Sequence, residues 1–315
     1  MDLIRPTLAE QAGVVSRAQL RLLDLEPHDI RRLIRRRELS VVHPGVYVDH
    51  TGDPSWLQRA WAAVLFCWPA ALGAESAMRA ADGPGRRDAD EGPVRVVISR
   101  ERRVVAPTGI HVVRTFGVDD RVRWNLGPPR LRYDEAALDV ALGSRGEFGA
   151  IGAVARAVQS QHTTAAQMRL ALDSRNRAPW RDFLAAVLDD VAAGACSVLE
   201  HGYLTRVEVP HGLPTADRQQ RGSTSAGVVY RDATYGVLDI ELDGRLFHDT
   251  AEARDHDFER DLDGAVDGRT AVRLSWGQVY GRSCSTAAKV SRLLVARGWP
   301  AGHACGAGCA MAIAA

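Results

Sequence analysis

Lysine is almost absent from this chain of 315 residues, in which Lys289 is the only lysine among 40 basic residues. A GC-rich genome would produce this arginine bias, so we attach no function to it. No apolar run reaches the roughly 18–20 residues that a membrane span needs, and the first residues lack a signal-peptide pattern. The five cysteines are scattered and odd in number, which suits a reducing compartment better than a disulfide framework. We therefore expect a cytoplasmic protein with no membrane partner.

Overall charge is nearly absent as well, and a net charge of +1 excludes nucleic-acid binding through the charge of the whole chain. The charge is instead segregated. Residues 31–37 contain five arginines and no acid, whereas residues 239–263 contain ten acids and three arginines. One segment therefore suits phosphate and the other suits a metal ion.

The length of the chain allows two or three domains, and its hydrophobic content of 46% is typical of a core-forming protein. The mixture of helix and strand patterns along the chain predicts a multidomain α/β protein. Changes in pattern divide the chain into five parts. These are a winged helix-turn-helix (1–50), an α+β connecting domain (54–146), a helical linker (147–194), a C-terminal α/β domain (195–298) and a flexible tail (299–315).

Residues 7–50 predict three short helices and a two-stranded wing that turns at Pro44-Gly45. The third helix carries an Ile/Leu stripe on one face, with arginines elsewhere. Four of these arginines are candidate nucleic-acid contacts: Arg31, Arg32, Arg35 and Arg36. The alternatives are a solvated helix face and a protein-docking winged helix.

The same segment carries a family resemblance. The run from Gly13 to Leu20, followed by Ile30-Arg31-Arg32 and by His43-Pro44-Gly45-Val46-Tyr47, resembles the N-terminal domain of AbiEi-type abortive-infection antitoxins. The segments Glu75-Ser76-Ala77 and Asp139-Val140-Ala141 resemble the connecting region of the same proteins. This resemblance implies a winged helix that binds promoter DNA and represses its own operon, with a toxin-like protein as a further partner.

The acidic segment centres on Val237–Gly244 and reads as a strand whose apolar residues face a core. Its acids share the other face: Asp239, Glu241 and Asp243. Neighbouring carboxylates would lie about 6–7 Å apart and repel by roughly 2–3 kcal/mol per pair. A hard divalent cation would offset this repulsion. A solvated edge strand is the alternative.

Residues 195–298 predict a helix, antiparallel strands, a helix, a strand and a closing helix. This order, together with Glu200, Asp232 and the run Glu241–Gly244, resembles the very-short-patch-repair-like branch of the PD-(D/E)XK nucleases, which have a restriction-endonuclease-like fold. The resemblance implies that Glu200, Asp232 and Glu241 hold Mg²⁺ or Mn²⁺ at a scissile phosphate. His248 could then transfer a proton and Arg260 could hold phosphate.

The nuclease pattern has one departure, because its Glu-x-Lys becomes Glu241-Leu242-Asp243 here. Asp243 is then a candidate fourth metal ligand. We therefore expect either an Mg²⁺-dependent DNA endonuclease or an antitoxin-like repressor with an inactive nuclease-like domain. A scaffold whose middle domain grips a partner is a third hypothesis.

Each site residue also has a structural interpretation. Glu200 could belong to a capping box with Ser197, Asp232 could be a turn acid, and His248 could be a surface histidine. In the tail, His303, Cys305 and Cys309 could recruit a soft metal, but three ligands without a fourth make a poor zinc site.

Overall fold

The computed structural model describes residues 2–83, 92–175, 177–193, 197–224, 227–243, 262 and 265–313. The chain divides into two compact units, one of residues 1–140 and 160–163 and the other of residues 141–159 and 164–315. Both are mixtures of helices and sheets, so the coarse prediction of a multidomain α/β protein is confirmed. In the described part of the chain, no helix has the length and apolar character to cross a membrane.

The first unit begins with three helices and a three-stranded antiparallel sheet. These elements are α1 (Arg5–Glu10), β1 (Val14–Ser16), α2 (Arg17–Leu22), α3 (Pro27–Arg35), β2 (Ser40–His43) and β3 (Val46–Val48). The sheet has the order β1-β3-β2, and β2 and β3 form the predicted hairpin around Gly45, which has a φ of +83°. Strand β1 was not predicted.

Local sequence signals explain these boundaries. The Ser16 hydroxyl accepts a hydrogen bond from the backbone N–H of Gln19, and the Gln19 side chain accepts one from the backbone N–H of Ser16. This capping box fixes the start of α2. Buried apolar residues from every element but β2 then close one core, comprising Ile4, Leu8, Val15, Leu20, Ile30, Leu33, Leu39 and Tyr47.

The remainder of the first unit has a five-stranded mixed sheet of order β6-β5-β4-β8-β7. Its elements are α4 (Trp56–Cys67), β4 (Ala71–Leu72), α5 (Ala74–Asp82), β5 (Val94–Ser99), β6 (Ile110–Thr115), α6 (Val118–Arg121), β7 (Val122–Arg123), β8 (Arg130–Leu131) and α7 (Tyr133–Leu142). Strands β5 and β6, which we predicted on either side of an Arg100–Arg103 turn, pair in parallel.

The second unit begins with helices. These are α8 (Glu147–Gln159), α9 (Ala165–Asp173), α10 (Arg181–Ala193) and α11 (Ser197–Tyr203), followed by a π-helical turn (Leu204–Glu208) and a 3₁₀ turn (Val209–His211). The Asp190 carboxylate of α10 accepts a hydrogen bond of 2.7 Å from the Val198 N–H, so it caps the first turn of α11.

A four-stranded sheet follows, made of β9 (Asp217–Thr224), β10 (Gly227–Tyr235), β11 (Leu238–Asp243) and β12 (Thr270–Ser275). Its order is β12-β11-β10-β9; β9, β10 and β11 are antiparallel, and β12 runs parallel to β11. Strand β11 is therefore interior, and the alternative of a solvated edge strand was wrong. The tight turn between β10 and β11 lies at Gly236-Val237.

The chain closes with a π-helical turn (Gly277–Gly281), α12 (Ser283–Val295) and α13 (Ala310–Ile313). Residues 301–313 differ from the expected flexible tail, because the His303 N–H donates to the His211 carbonyl at 2.7 Å and Cys309 is buried. The predicted helix over 251–266 lies largely outside the described residues.

Helix α4 offers a test of capping in the first unit. The exposed Ser55 hydroxyl accepts a hydrogen bond from the Gln58 N–H, and the Gln58 side chain also reaches the carbonyl of Ala12 at 3.0 Å. We expect Ser55→Ala to lower the free energy of unfolding by about 1 kcal/mol, because an N-cap is lost. Urea denaturation measures this change, and Ser55→Asp, which keeps an acceptor, should leave stability nearly unchanged. Equal losses in both variants would contradict the capping role.

Candidate metal and nucleic-acid sites

Strand β11 lies in the interior of the four-stranded sheet of the second unit, and the first acid of its acidic face is neutralised by arginine. Asp239 is 4% exposed. Its carboxylate accepts hydrogen bonds from Arg269 at 2.5 and 2.7 Å, lies 3.2 Å from Arg231 Nε, and accepts from the Thr234 hydroxyl at 3.0 Å. The hydrogen bonds that Arg269 donates to Asp239 raise the pKa of Arg269. The expectation that a cation must offset this charge was therefore wrong for Asp239.

The second acid of the strand, Glu241, also has a basic neighbour. Glu241 and Arg273 are paired positions on β11 and β12, and Arg273 Nε lies 3.1 Å from the Glu241 carboxylate. Both side chains are partly exposed. A salt bridge in this setting is modest in free energy and open to exchange with another cationic partner. Local sequence patterns could not predict this pair, since residues 241 and 273 belong to distant segments.

Asp232 approaches the same strand from β10. The last paired residues of this ladder are Ala233 and Ile240, and beyond them the Asp232 carboxylate accepts a hydrogen bond of 2.6 Å from the Leu242 N–H. Its carboxylate thus lies against the backbone between Glu241 and Asp243. Because Asp232 belongs to the body of β10 and not to a turn, the interpretation as a turn acid was wrong.

The remaining predicted site residues stand as follows. Glu200 lies partly buried on α11, which packs against β11, and the carboxylate that caps this helix is Asp190. Asp243 is partly buried at the end of β11. His248 and Arg260 lie outside the described residues, so their places in the site are predictions only.

Carboxylate oxygens are the donors that Mg²⁺ and Mn²⁺ prefer, so these residue types suit such an ion. Within the described part of the chain, however, the acids are not brought together as a group of three or more metal ligands. Asp232 and Glu241 come from neighbouring strands, and Asp243 follows Glu241 at the next position on the same face. The arginine beside Glu241 is the feature that weighs against a cation, since a guanidinium and a divalent ion compete for the same carboxylate.

Sequence reasoning missed a buried polar network beside this sheet. Glu208, which is 2% exposed, accepts a hydrogen bond of 2.8 Å from the Tyr235 hydroxyl and one of 2.7 Å from Arg218. The hydroxyls of Tyr235 and Tyr203 lie 3.1 Å apart. Burial raises the pKa of both tyrosines. The sequence carried little indication that Glu208 is buried, because an isolated glutamate is usually exposed.

The basic helix of the first unit presents its arginines outward. Helix α3 buries Ile30 and Leu33, as the stripe predicted. All five arginines of the segment are exposed: Arg31, Arg32, Arg35, Arg36 and Arg37. Arg32 pairs with Asp29 at 2.9 Å and Arg36 lies 3.9 Å from Glu38, whereas Arg31 and Arg35 have no ion pair within the described part of the chain.

Comparison with known proteins adds little to this geometry. No protein family and no curated protein matches the chain. Among solved structures, the chain is similar to the crystal structure of the RV2827C protein from Mycobacterium tuberculosis, with 17% sequence identity and a TM-score of 0.39 over 70% of this chain and 87% of that chain. This similarity carries no argument about the present chain.

The tyrosine network has a pH dependence whose sign follows from the raised pKa values. Since folding raises the pKa of Tyr235, the unfolded chain releases its phenol proton first, near pH 10. The stability that the network provides is therefore fully present below about pH 10 and is lost as the pH rises beyond it.

We expect Tyr235→Phe to cost about 1.5–3 kcal/mol at neutral pH, because Glu208 loses a donor to its charge. The variant should also lose stability less steeply than the parent above about pH 10. Urea unfolding midpoints measured from neutral to alkaline pH test both expectations. Parallel pH profiles for parent and variant would contradict the role assigned to Tyr235.

Proposed function

We propose that this chain is a DNA-binding protein whose C-terminal domain hydrolyses DNA phosphodiester bonds with the help of Mg²⁺ or Mn²⁺. The observation that carries the proposal is the position of the Asp232 carboxylate, which lies 2.6 Å from the Leu242 backbone nitrogen. This contact brings an acid from β10 next to Glu241 and Asp243 on β11. Acids on two neighbouring strands are the arrangement that the resemblance to PD-(D/E)XK nucleases led us to expect.

The proposed ligands are Asp232, Glu241 and Asp243, with Glu200 on the adjacent helix as a fourth. A bound Mg²⁺ would supply activation of a water molecule and stabilisation of charge on the phosphate. The carboxylates hold the ion and orient the substrate. Asp232 is well suited to this task, because its hydrogen bond to the strand backbone fixes the position of the carboxylate before substrate arrives.

In this proposal, Arg273 takes over part of the role of the lysine that the nuclease pattern contains and this chain lacks. A guanidinium stays charged at any accessible pH, so it is a poor proton carrier. It is a good partner for phosphate, which it can bind through two parallel N–H groups. In the proposed complex, Arg273 exchanges its contact with Glu241 for a phosphate oxygen, and this exchange leaves the carboxylate to the cation.

DNA binding by the first unit is the second part of the proposal. Helix α3 is followed along the chain by the β2–β3 hairpin, which is the order of elements in a winged helix. Arg31 and Arg35 are exposed on α3. Exposed guanidinium groups without acidic partners are available for phosphate oxygens. The proposed cellular setting is the cytoplasm.

The Glu241–Arg273 pair also favours an alternative. If the ion pair with Arg273 persists on DNA, the domain lacks the lysine of the nuclease pattern and also lacks Glu241 as a metal ligand. The domain would then act only as a structural unit. The chain would then be an antitoxin-like repressor that binds its promoter, with a toxin-like protein as its partner.

Cleavage of supercoiled plasmid distinguishes the two functions. We expect the full chain to nick plasmid in the presence of Mg²⁺ or Mn²⁺, and we expect Glu241→Gln and Asp232→Asn to lower the rate by at least about 100-fold, because ligands of the cation are lost. Asp189→Asn is the matched control, since Asp189 is a surface acid paired with Arg169. Plasmid that stays intact with every divalent ion would leave the repressor as the surviving function.

Phosphate contacts by α3 are tested through salt dependence. We expect Arg31→Ala and Arg35→Ala each to weaken DNA binding and to reduce the slope of log K against log salt by about 0.9, as one phosphate contact is removed. Fluorescence anisotropy with duplex DNA over a range of salt measures the slope. Arg5→Ala, at an exposed arginine of α1, is the control. A slope unchanged in all three variants would exclude α3 as the contact surface.

A further inference from the structure

Four metal-ligating side chains from three separate segments meet in the second unit. His211 ends the 3₁₀ turn after α11, Cys284 lies in the first turn of α12, and Cys305 and Cys309 belong to the C-terminal segment. One nitrogen or sulfur atom from each lies within 4.8 Å of the others. The group shares no residue with the acids of β10 and β11.

The environment of His211 indicates that these side chains form a metal site and are not together by chance. Its side chain is 1% exposed, and Nδ1 lies 2.9 Å from the Val207 carbonyl. A proton on Nδ1 leaves Nε2 with a free lone pair. Nε2 is buried and has no hydrogen-bond partner among the residues that the structure describes. A buried polar atom of this kind is costly unless it binds something, and a backbone carbonyl on the other ring nitrogen is typical of metal-bound histidine.

The sulfur atoms have the spacing of metal ligands and not of a disulfide. The Sγ atoms of Cys284 and Cys305 lie 3.7 Å apart, and both cysteines are free. A disulfide would need about 2.05 Å. Two thiolates on one tetrahedral zinc, each about 2.3 Å from the metal, lie about 3.8 Å apart. Cys309 is 3% exposed, so part of the site is already shielded from water.

The backbone of the C-terminal segment lies close to the backbone of His211. The Gly302 N–H donates to the Ser291 hydroxyl at 3.0 Å, and the His303 N–H donates to the His211 carbonyl at 2.7 Å. A Cβ on Gly302 would lie 2.6 Å from that carbonyl oxygen, so only glycine fits there. Gly308 has a φ of +82°, which turns the chain between Cys305 and Cys309.

We propose that His211, Cys284, Cys305 and Cys309 form a structural zinc site. A set of three cysteines and one histidine is a common structural zinc set, and four protein ligands leave no open position for catalysis. The metal would join the C-terminal segment to the start of α12 and to the 3₁₀ turn that ends at His211. The sequence alone offered only His303, Cys305 and Cys309, which we judged a poor zinc site. In the proposed set His303 is absent, and His211 and Cys284 are the additional ligands.

Zinc content of the full chain, purified under reducing conditions without chelator, tests the proposal. We expect one zinc per chain in the parent and none in Cys305→Ser, whose exposed position makes it the safest ligand to replace. The Cys67→Ala variant, at a cysteine within α4 of the first unit, should keep its zinc. Far-ultraviolet circular dichroism establishes that the variants are folded.

Cobalt substitution supplies a readout that does not depend on stability. We expect the Co²⁺-loaded parent to show a thiolate-to-cobalt charge-transfer band and the visible bands of tetrahedral cobalt, and we expect both to be lost in Cys305→Ser. Glu241→Gln should retain zinc and the cobalt spectrum, which separates this site from the acids of the sheet. Absence of zinc after reconstitution of the parent, or equal binding by Cys305→Ser, would overturn the proposal.

Discussion

Neutralisation of carboxylates on an interior strand is the constraint on which the second unit depends. Strand β11 places three acids on one face in the middle of a sheet, and each requires a partner in a region of low dielectric. Arginines neutralise two of these acids. Arg231 of β10 and Arg269, which precedes β12, pair with Asp239, and Arg273 of β12 pairs with Glu241. Solvent exposure increases along the strand: Asp239 is buried and paired with two arginines, whereas Glu241 and Asp243 are partly exposed.

This difference in exposure separates Asp239, whose role is structural, from Glu241 and Asp243, which we propose bind a cation. The pair formed by Asp239 and Arg269 is short and buried, so removal of either partner would leave an uncompensated charge in the core. Glu241 is partly exposed, and its carboxylate lies 3.1 Å from Arg273. The proposed hydrolase uses the end of β11 where Asp232 approaches from β10, and the structural pairs hold the sheet in register beneath it. The zinc site proposed at the C-terminal segment would stabilise the same unit from another side.

Much of the fold followed from local sequence patterns. The alternation from Leu238 to Asp243 predicted β11 and the Ile/Leu stripe that contains Ile30 and Leu33 predicted α3, because each signal acts over a few residues. Contacts between distant segments were not predictable in this way. Nothing in the sequence connects Asp239 with Arg269 or His211 with Cys284, and the spacing of Cys305 and Cys309 was only half of a ligand set. Tyr235 and Glu208 likewise meet only after the chain has folded.

We propose that the acids of β10 and β11 hold a divalent cation although Arg273 lies beside Glu241. Binding of Mn²⁺ to the full chain, followed by the loss of its free-ion electron paramagnetic resonance signal, measures this directly. We expect saturable binding that is lost in both Asp232→Asn and Glu241→Gln and is strengthened in Arg273→Ala, where the competing guanidinium is gone. A parent chain and an Arg273→Ala variant that both leave Mn²⁺ free in solution would contradict it.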